Sequence, residues 1–317
     1  MNKKIQSNIF LLLTALIWGF AFVAQRSVMD YLGPFLYSGI RMYLGSLSLL
    51  VFIYITNKFE KTRELFSGDI TVPSDNQKQK NLLLQGGLVC GIVMYFAGNF
   101  QQVGLVFTTA SKTGFITTLY IIIVPLIGIL LKHKTTYNTW LGVVLATIGL
   151  YFLCITESLT IELGDFVVLI GAVFWALHIL CMDYYAPKVH VMKLVSIQFF
   201  VAGTLSFITA IFVDSWFCSD VQLTNLIYAI PSILYVGIMS SAGAATFQGL
   251  GQKHANPTTA SIILSTEAVF GAIFGFLVLH EILSIRETVG CILMFTAIII
   301  VQLPTRSERM KSASTKN

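Results

Sequence analysis

The chain has 317 residues, of which 56% are hydrophobic and 11% charged, and its mean hydropathy is +0.79. An ordinary soluble domain carries about 25% charged residues, so this composition excludes a water-covered globule and makes lipid the natural solvent. The net charge of +5 is no signal for nucleic acid, because it follows from where the basic residues sit along the chain.

A spanning helix needs about 20 mainly apolar residues. Ten such runs follow one another, at 9–28, 35–56, 82–107, 109–131, 139–156, 165–186, 194–213, 226–250, 258–280 and 288–303. They lack the polar/apolar alternation of a membrane strand, and an open sheet cannot cross lipid. The predicted fold is all-α, an integral membrane protein of ten transmembrane helices. The first run follows a basic start. At about 20 residues it exceeds a signal-peptide core, and no small-residue cleavage site follows it, so it reads as a retained helix. Residues 57–81, "NKFEKTRELFSGDITVPSDNQKQKN", mix both charge signs with Gly, Pro and Ser and predict a solvated cytoplasmic loop. The third and fourth runs part near Thr108 and Thr109. The five cysteines, Cys90, Cys154, Cys181, Cys218 and Cys291, show no paired spacing and read as small buried hydrophobes.

Orientation comes from the basic residues. With the N-terminus inside, sixteen of the 20 Lys and Arg fall in cytoplasmic segments, from Lys3 and Lys4 through Lys132, Lys188, Lys193 and Lys253 to Arg306 and Lys316. One, Arg286, falls in an outer loop, and Arg26, Arg41 and Lys112 lie inside apolar runs. The positive-inside rule then puts both termini in the cytoplasm. Several acidic residues, Asp165 and Asp214 among them, fall outside.

The two halves resemble each other. "FQQVG" at 100–104 matches "FQGLG" at 247–251, and Thr113, Thr117, Thr118 and Gly142 fall on Ser261, Ser265, Thr266 and Gly290 near offset 148. Trp18 falls on Trp175. Five helices per copy make the second copy enter from the opposite side, which gives two inverted repeats, a known transporter plan with substrate sites near the midplane. The expected units are 8–156, 157–304 and a basic tail at 305–317.

Three stretches carry a family resemblance: "LLLTALIWGFAFVAQR", "TASKTGFITTLYIIIVPLIGILL" and "QKHANPTTASIILSTEAVFGAIFGFLVLHEILSIRETVGCILMFTAIIIV". They look like the two EamA domains of the drug/metabolite transporter superfamily. Thr259-Ala260-Ser261, Glu267-Ala268-Val269, His280-Glu281 and Gly290 make the second copy the better match. The chain departs from the family where Gly-Glu is usual: it has His280-Glu281, and Lys132-His133-Lys134 in the first copy. The resemblance implies ten helices, movement of small metabolites, often by export, and a central cavity lined mainly by the third, fourth, eighth and ninth helices.

Glu267 lies near the middle of the ninth run. An ionised carboxylate at the bilayer centre costs about 2.5–3.5 kcal/mol on insertion scales, so it must face protein or water. Gly271 and Gly275 share its helix face, which makes that face a close-packing one. Glu267 reads either as a cavity group that binds a substrate cation or a proton, or as a structural acid held neutral or paired. Arg41 and Lys112 lie near the outer ends of their helices. They can snorkel to the interface or attract a substrate carboxylate or phosphate; Arg26 sits closer still to an end. Gln101 and Gln248, a pair matched between the copies, can bond across helices or contact substrate, as can Gln102 and Asn99. Trp18 and Trp175 are deep enough to wall a cavity or pack in the core, unlike Trp140 and Trp216. His178 and Asp183, five residues apart, share a face poorly for a proton relay.

Enzyme signatures fail. "ASKTG" at 110–114 lacks the glycines of a phosphate-binding loop, and neither H-E-x-x-H nor G-x-S-x-G occurs. No cofactor, metal or nucleic acid is expected. The function read from the sequence is secondary transport of small metabolites, amino acids or related compounds, by alternating access and in the export direction. The candidate site is Glu267, Gln101, Gln248, Lys112, Arg41, Trp18 and Trp175, with a proton as a candidate coupling ion. A lipid or sugar-lipid flippase and a non-transport membrane enzyme or scaffold are the alternatives. Short outer loops fit a bacterial plasma membrane, and the state stays open between monomer and homodimer.

Overall fold

The computed structural model describes residues 3–29, 31–56, 77–108, 110–132, 136–154, 163–216, 223–279 and 284–303. Most of the polar loop 57–81, the tail 305–317, Cys218 and His280-Glu281 lie outside the described residues.

In chain order the helices are α1 (Lys3–Arg26), α2 (Pro34–Thr56), α3 (Gln77–Phe107), α4 (Ala110–Thr118), α5 (Tyr120–Leu130), α6 (Tyr137–Cys154), α7 (Leu163–Tyr185) and α8 (Val191–Val213). A short turn, Asp214–Trp216, follows. Then come α9 (Leu223–Leu234), a π-helical segment (Tyr235–Ala244), α10 (Ala245–Gln252), α11 (Pro257–Leu264), α12 (Glu267–Leu279) and α13 (Ile285–Gln302). Among the described residues, eight stretches are long and apolar enough to cross a membrane. Their exposed faces carry large apolar side chains, such as Leu47 at 60%, Leu130 at 81% and Ile211 at 77%. Such a continuous apolar surface belongs in lipid, and the protein is a multi-pass membrane protein.

Several helices start before their apolar runs. α1 begins at Lys3 and α3 at Gln77, because polarity ends the contact with lipid without ending the backbone ladder. Starts are fixed where caps exist. Ser284 and Glu287 form a reciprocal capping box on α13, with Ser284 N donating to Glu287 Oε2 at 2.7 Å and Glu287 N to Ser284 Oγ at 3.2 Å. Asn256 accepts from Thr258 N ahead of Pro257 on α11.

Three of the predicted runs are not single α-helices. The fourth divides at Leu119, between α4 and α5, and the ninth at Ser265 and Thr266, between α11 and α12. Local hydroxyls mark both places. Thr118 Oγ1 donates to the carbonyls of Gly114 and Phe115 at 2.9 Å each; Ser265 Oγ donates to Ile262 O at 2.8 Å and Thr266 Oγ1 to Ile263 O at 2.6 Å. Side-chain bonds to carbonyls one turn back compete with the ladder and bend helices. The eighth run widens into π geometry along "YVGIMSSAGA", where small residues give the backbone room. Three bonds tie α1 to this segment: Trp18 Nε1 to Ser240 O (3.2 Å), Thr14 Oγ1 to Ala244 O (3.1 Å) and Tyr235 Oη to Ile17 O (2.8 Å).

The most extensive packing pairs are α3 with α7, α6 with α13, α2 with α8, and α3 with α8. α1 packs on α10, α11, α12 and the π segment. Each of these pairs joins the first half of the chain to the second, so the halves interlock around shared cores.

Candidate functional site

A cavity with about 530 Å³ of empty volume, counting its open part, lies where the interlocked helices leave room. Both halves line it. α1 supplies Trp18, Ala21, Phe22 and Gln25; Arg41, Met94 and Gln101 come from α2 and α3. Thr117, Tyr120, Trp175 and Phe199 follow from α4, α5, α7 and α8, with Ser240 and Ser241 from the π segment and Glu267 from α12. An apolar wall with a few converging polar groups is the usual make-up of a small-molecule site.

Glu267 is 3% exposed and is the first residue of α12. A carboxylate there faces the positive end of the helix dipole. Tyr120 Oη donates to its Oε1 at a long 3.2 Å. The backbone at this point is fixed by Gly19. A Cβ on Gly19 would stand 2.7 Å from Glu267 O and 2.8 Å from Gly271 N, so only glycine lets α1 cross α12 this closely.

Arg41 is 8% exposed, and its Nε is buried without a hydrogen-bond partner. Among the described residues it forms no ion pair, and neither does Glu267; the guanidinium and the carboxyl share the cavity without pairing. The side chain of Arg41 is therefore enclosed by helices and does not snorkel. Gln101 is also buried, and its Oε1 accepts from Trp175 Nε1 at 2.6 Å. The rings of Trp18 and Trp175 lie 5.9 Å apart and tilted by 55°, forming one aromatic wall. Buried lining atoms without partners include Thr117 Oγ1, Ser241 Oγ and Gln25 Oε1.

Five of the seven residues singled out from sequence thus meet at the cavity: Glu267, Gln101, Arg41, Trp18 and Trp175. Two do not line it. Gln248 is fully buried elsewhere on α10, with both amide atoms unpartnered. Lys112 stands 3.7 Å from Asp165 Oδ2, while Thr108 Oγ1 donates to Asp165 Oδ1 at 2.6 Å, which ties together the ends of α3, α4 and α7. The lining also reaches beyond the third, fourth, eighth and ninth runs: α1 contributes four residues, because the Gly19 crossing brings it against α12. Sequence reasoning missed Tyr120, Thr117, Gln25 and the two serines. The internal repeat carried a signal for Tyr120, since Leu119 is the offset-148 partner of Glu267.

Among the described residues no group of three His, Cys, Asp or Glu could hold a metal ion. Cys90, Cys181 and Cys291 are free thiols.

The EamA-like transporter family matches residues 6–155 and again 162–303. An uncharacterized transporter of Archaeoglobus fulgidus is 28% identical over 302 residues, 95% of this chain and 87% of that protein. The uncharacterized transporter YoaV of Bacillus subtilis is 24% identical over 289 residues, 88% and 90% of the two chains. A solved crystal structure with 13% identity superposes at a TM-score of 0.72 over 96% of this chain and 98% of its own; it shows the fold alone. With both halves matched, the chain belongs to the EamA-like transporter family.

Proposed function

We propose that the protein is a secondary carrier of amino acids or closely related zwitterions, acting by alternating access and exporting them across a plasma membrane, that of a bacterium. The observation that carries this is the pair of buried ionisable groups, the Glu267 carboxyl and the Arg41 guanidinium, that line one cavity without pairing with each other. An uncompensated buried charge is costly, and a zwitterion satisfies both at once: its ammonium toward Glu267 and Tyr120, its carboxylate toward Arg41. Trp18, Trp175 and Phe22 would take an apolar side chain, and Gln101 would set their position. Glu267 is also the group that would exchange a proton, if transport is driven by one.

On this proposal the chain makes ten spans in two inverted repeats; the positive-inside rule is what puts its termini in the cytoplasm, and the helix packing is what supports the repeat. A two-fold that exchanges the first run with the sixth, the second with the seventh and so on maps the four most extensive contacts onto themselves or onto another observed contact. The second and seventh, fourth and ninth, and fifth and tenth runs pair with themselves, and the contact of third with sixth recurs as eighth with first.

The test is uptake in proteoliposomes by a panel of labelled amino acids and lipids, with and without a pH gradient. Amino-acid flux that Glu267→Gln and Arg41→Gln each reduce at least tenfold is the expected result. Lipid movement without amino-acid flux would instead establish a flippase.

A further inference from the structure

Directly behind the cavity wall lies a second polar layer. Trp175 lines the cavity, and its ring meets that of His178 edge-on, 5.8 Å between centroids. His178 is fully buried and pairs through Nε2 with Gln198 Oε1 at 3.2 Å. Since the amide oxygen accepts, Nε2 carries the proton and Nδ1 is an acceptor. That Nδ1 has no partner among the described residues, nor has Gln198 Nε2. Gln198 adjoins Phe199, itself a cavity residue.

The third side is α10. Gln252 Nε2 donates to Ile179 O, next to His178, at 2.9 Å, so this face of α10 is turned onto α7. Gln248 lies one turn back on that face. Both its amide atoms are unpartnered, as is Gln252 Oε1. Five fully buried donors and acceptors thus lie between α7, α8 and α10, where nearly every buried polar group in a native protein is satisfied. Their mixture of donors and acceptors suits water. The layer lies between the cavity and the lysine-bearing helix ends, near Lys188, Lys193 and Lys253.

We propose that this layer is a hydrated polar transit site, the inner leg of the permeation path, and that Trp175 is the gate separating it from the cavity. Its ligands are water and the polar end of a passing solute. Trp175 is latched by its bond to Gln101 on the other half of the chain; breaking that bond frees the ring to swing and join the two compartments. The inference rests on the carrier reading for what passes through, but not for its test.

The experiment is thiol labelling of the full chain in vesicles. All five native cysteines are replaced, single cysteines are placed by Gln248→Cys or Gln198→Cys, and a small, cationic, membrane-impermeant methanethiosulfonate is added. Lys193→Cys, on an exposed site, and Ala202→Cys, in the apolar core of α8, set the two limits. Labelling at 248 and 198 well above the Ala202→Cys rate is expected. Trp175→Ala should speed it at least tenfold, and Trp175→Phe, which keeps a ring but loses the latch, by less. Labelling at both sites no faster than at Ala202→Cys overturns the transit site. Equal rates with and without Trp175, or a parallel rise at 202 in both Trp175 variants, overturn the gate. Labelling needs no substrate. If it fails while amino-acid uptake persists, only this proposal falls; if it succeeds while no amino acid moves, only the carrier reading does.

Discussion

Gly19 offers the sharpest mechanical test, because it is the point where α1 crosses the helix that presents Glu267. A Cβ there would lie 2.7 Å from Glu267 O, 2.7 Å from Phe270 Cβ and 2.8 Å from Gly271 N. Two of the three atoms are backbone and cannot rotate away. Reaching ordinary contact requires the helices to part by about 0.7 Å, an overpacking change that typically costs about 1–3 kcal/mol. Ala recovers up to about 1 kcal/mol of helix propensity over Gly, so Gly19→Ala is expected to lose roughly 1–2 kcal/mol net. The displacement also stretches the Tyr120–Glu267 bond, already at 3.2 Å, beyond useful hydrogen-bond range. Gly114 on α4 is the internal control. Nothing lies within 4 Å of a Cβ built there, so Gly114→Ala should match or exceed the parent. Thermal unfolding in one detergent, followed by tryptophan fluorescence, reads the difference. At about 2–4 °C per kcal/mol for a large domain, Gly19→Ala should melt several degrees below Gly114→Ala. Equal melting temperatures for the two variants would refute the close crossing.

Three further outcomes follow from single contacts. Tyr120→Phe removes the one hydrogen bond that the Glu267 carboxyl makes among the described residues; burying that acid without it costs about 1–3 kcal/mol, and uptake should weaken and change its pH profile. Asp214 accepts from Phe35 N at 3.1 Å and Leu36 N at 2.6 Å, capping α2 from another helix. Burial pushes its carboxyl up from the usual carboxylate range against those two donors, and Asp214→Ala should cost about 0.5–2 kcal/mol in the same melting assay. Lys112 is 26% exposed and pairs with Asp165 outside the cavity. Lys112→Met leaves the buried Asp165 carboxyl without this cation, should cost about 1–3 kcal/mol, and should leave the KM for any transported solute unchanged; a several-fold rise in KM would put Lys112 on the substrate's path.

How far the sequence could be read depended on whether a cost is local or shared. Lipid imposes a local cost, so the apolar runs stood out and each falls on helix within a few residues. The same cost marked Glu267 and Arg41, since a charge among apolar residues needs a reason wherever it sits. Tyr120 carries no such mark. Its hydroxyl is unremarkable within "TTLYIIIV", and only a fold that brings α5 beside α12 gives it a partner. The pairing of Lys112 with Asp165, 53 positions along, was hidden for the same reason. The helix interruptions depend on hydroxyls turning back onto their own carbonyls, and Ser and Thr make that choice only in a packed context. Gln248 shows the limit of the repeat: matching Gln101 in sequence did not place it in the cavity, because the eighth run meets the cavity through Ser240 and Ser241 of the π segment, about two turns before Gln248.

The interlocking bears on how such a carrier would move. If each half of the chain were a body, rocking one against the other would break the α3–α7, α2–α8 and α6–α13 contacts together, and with them the shared cores. Those cores bury Met42, Cys90, Met182, Val195 and Leu250 in one cluster drawn from both halves, and breaking it would cost far more than a ligand's differential affinity supplies. The moving bodies in an alternating-access cycle must therefore combine helices from both halves and leave these pairs intact. The Gln101–Trp175 latch and the Tyr120–Glu267 bond are contacts between helices that each rest on a single hydrogen bond. Both lie at the cavity, so a solute bound as proposed, between Glu267 and Arg41, would act directly on them.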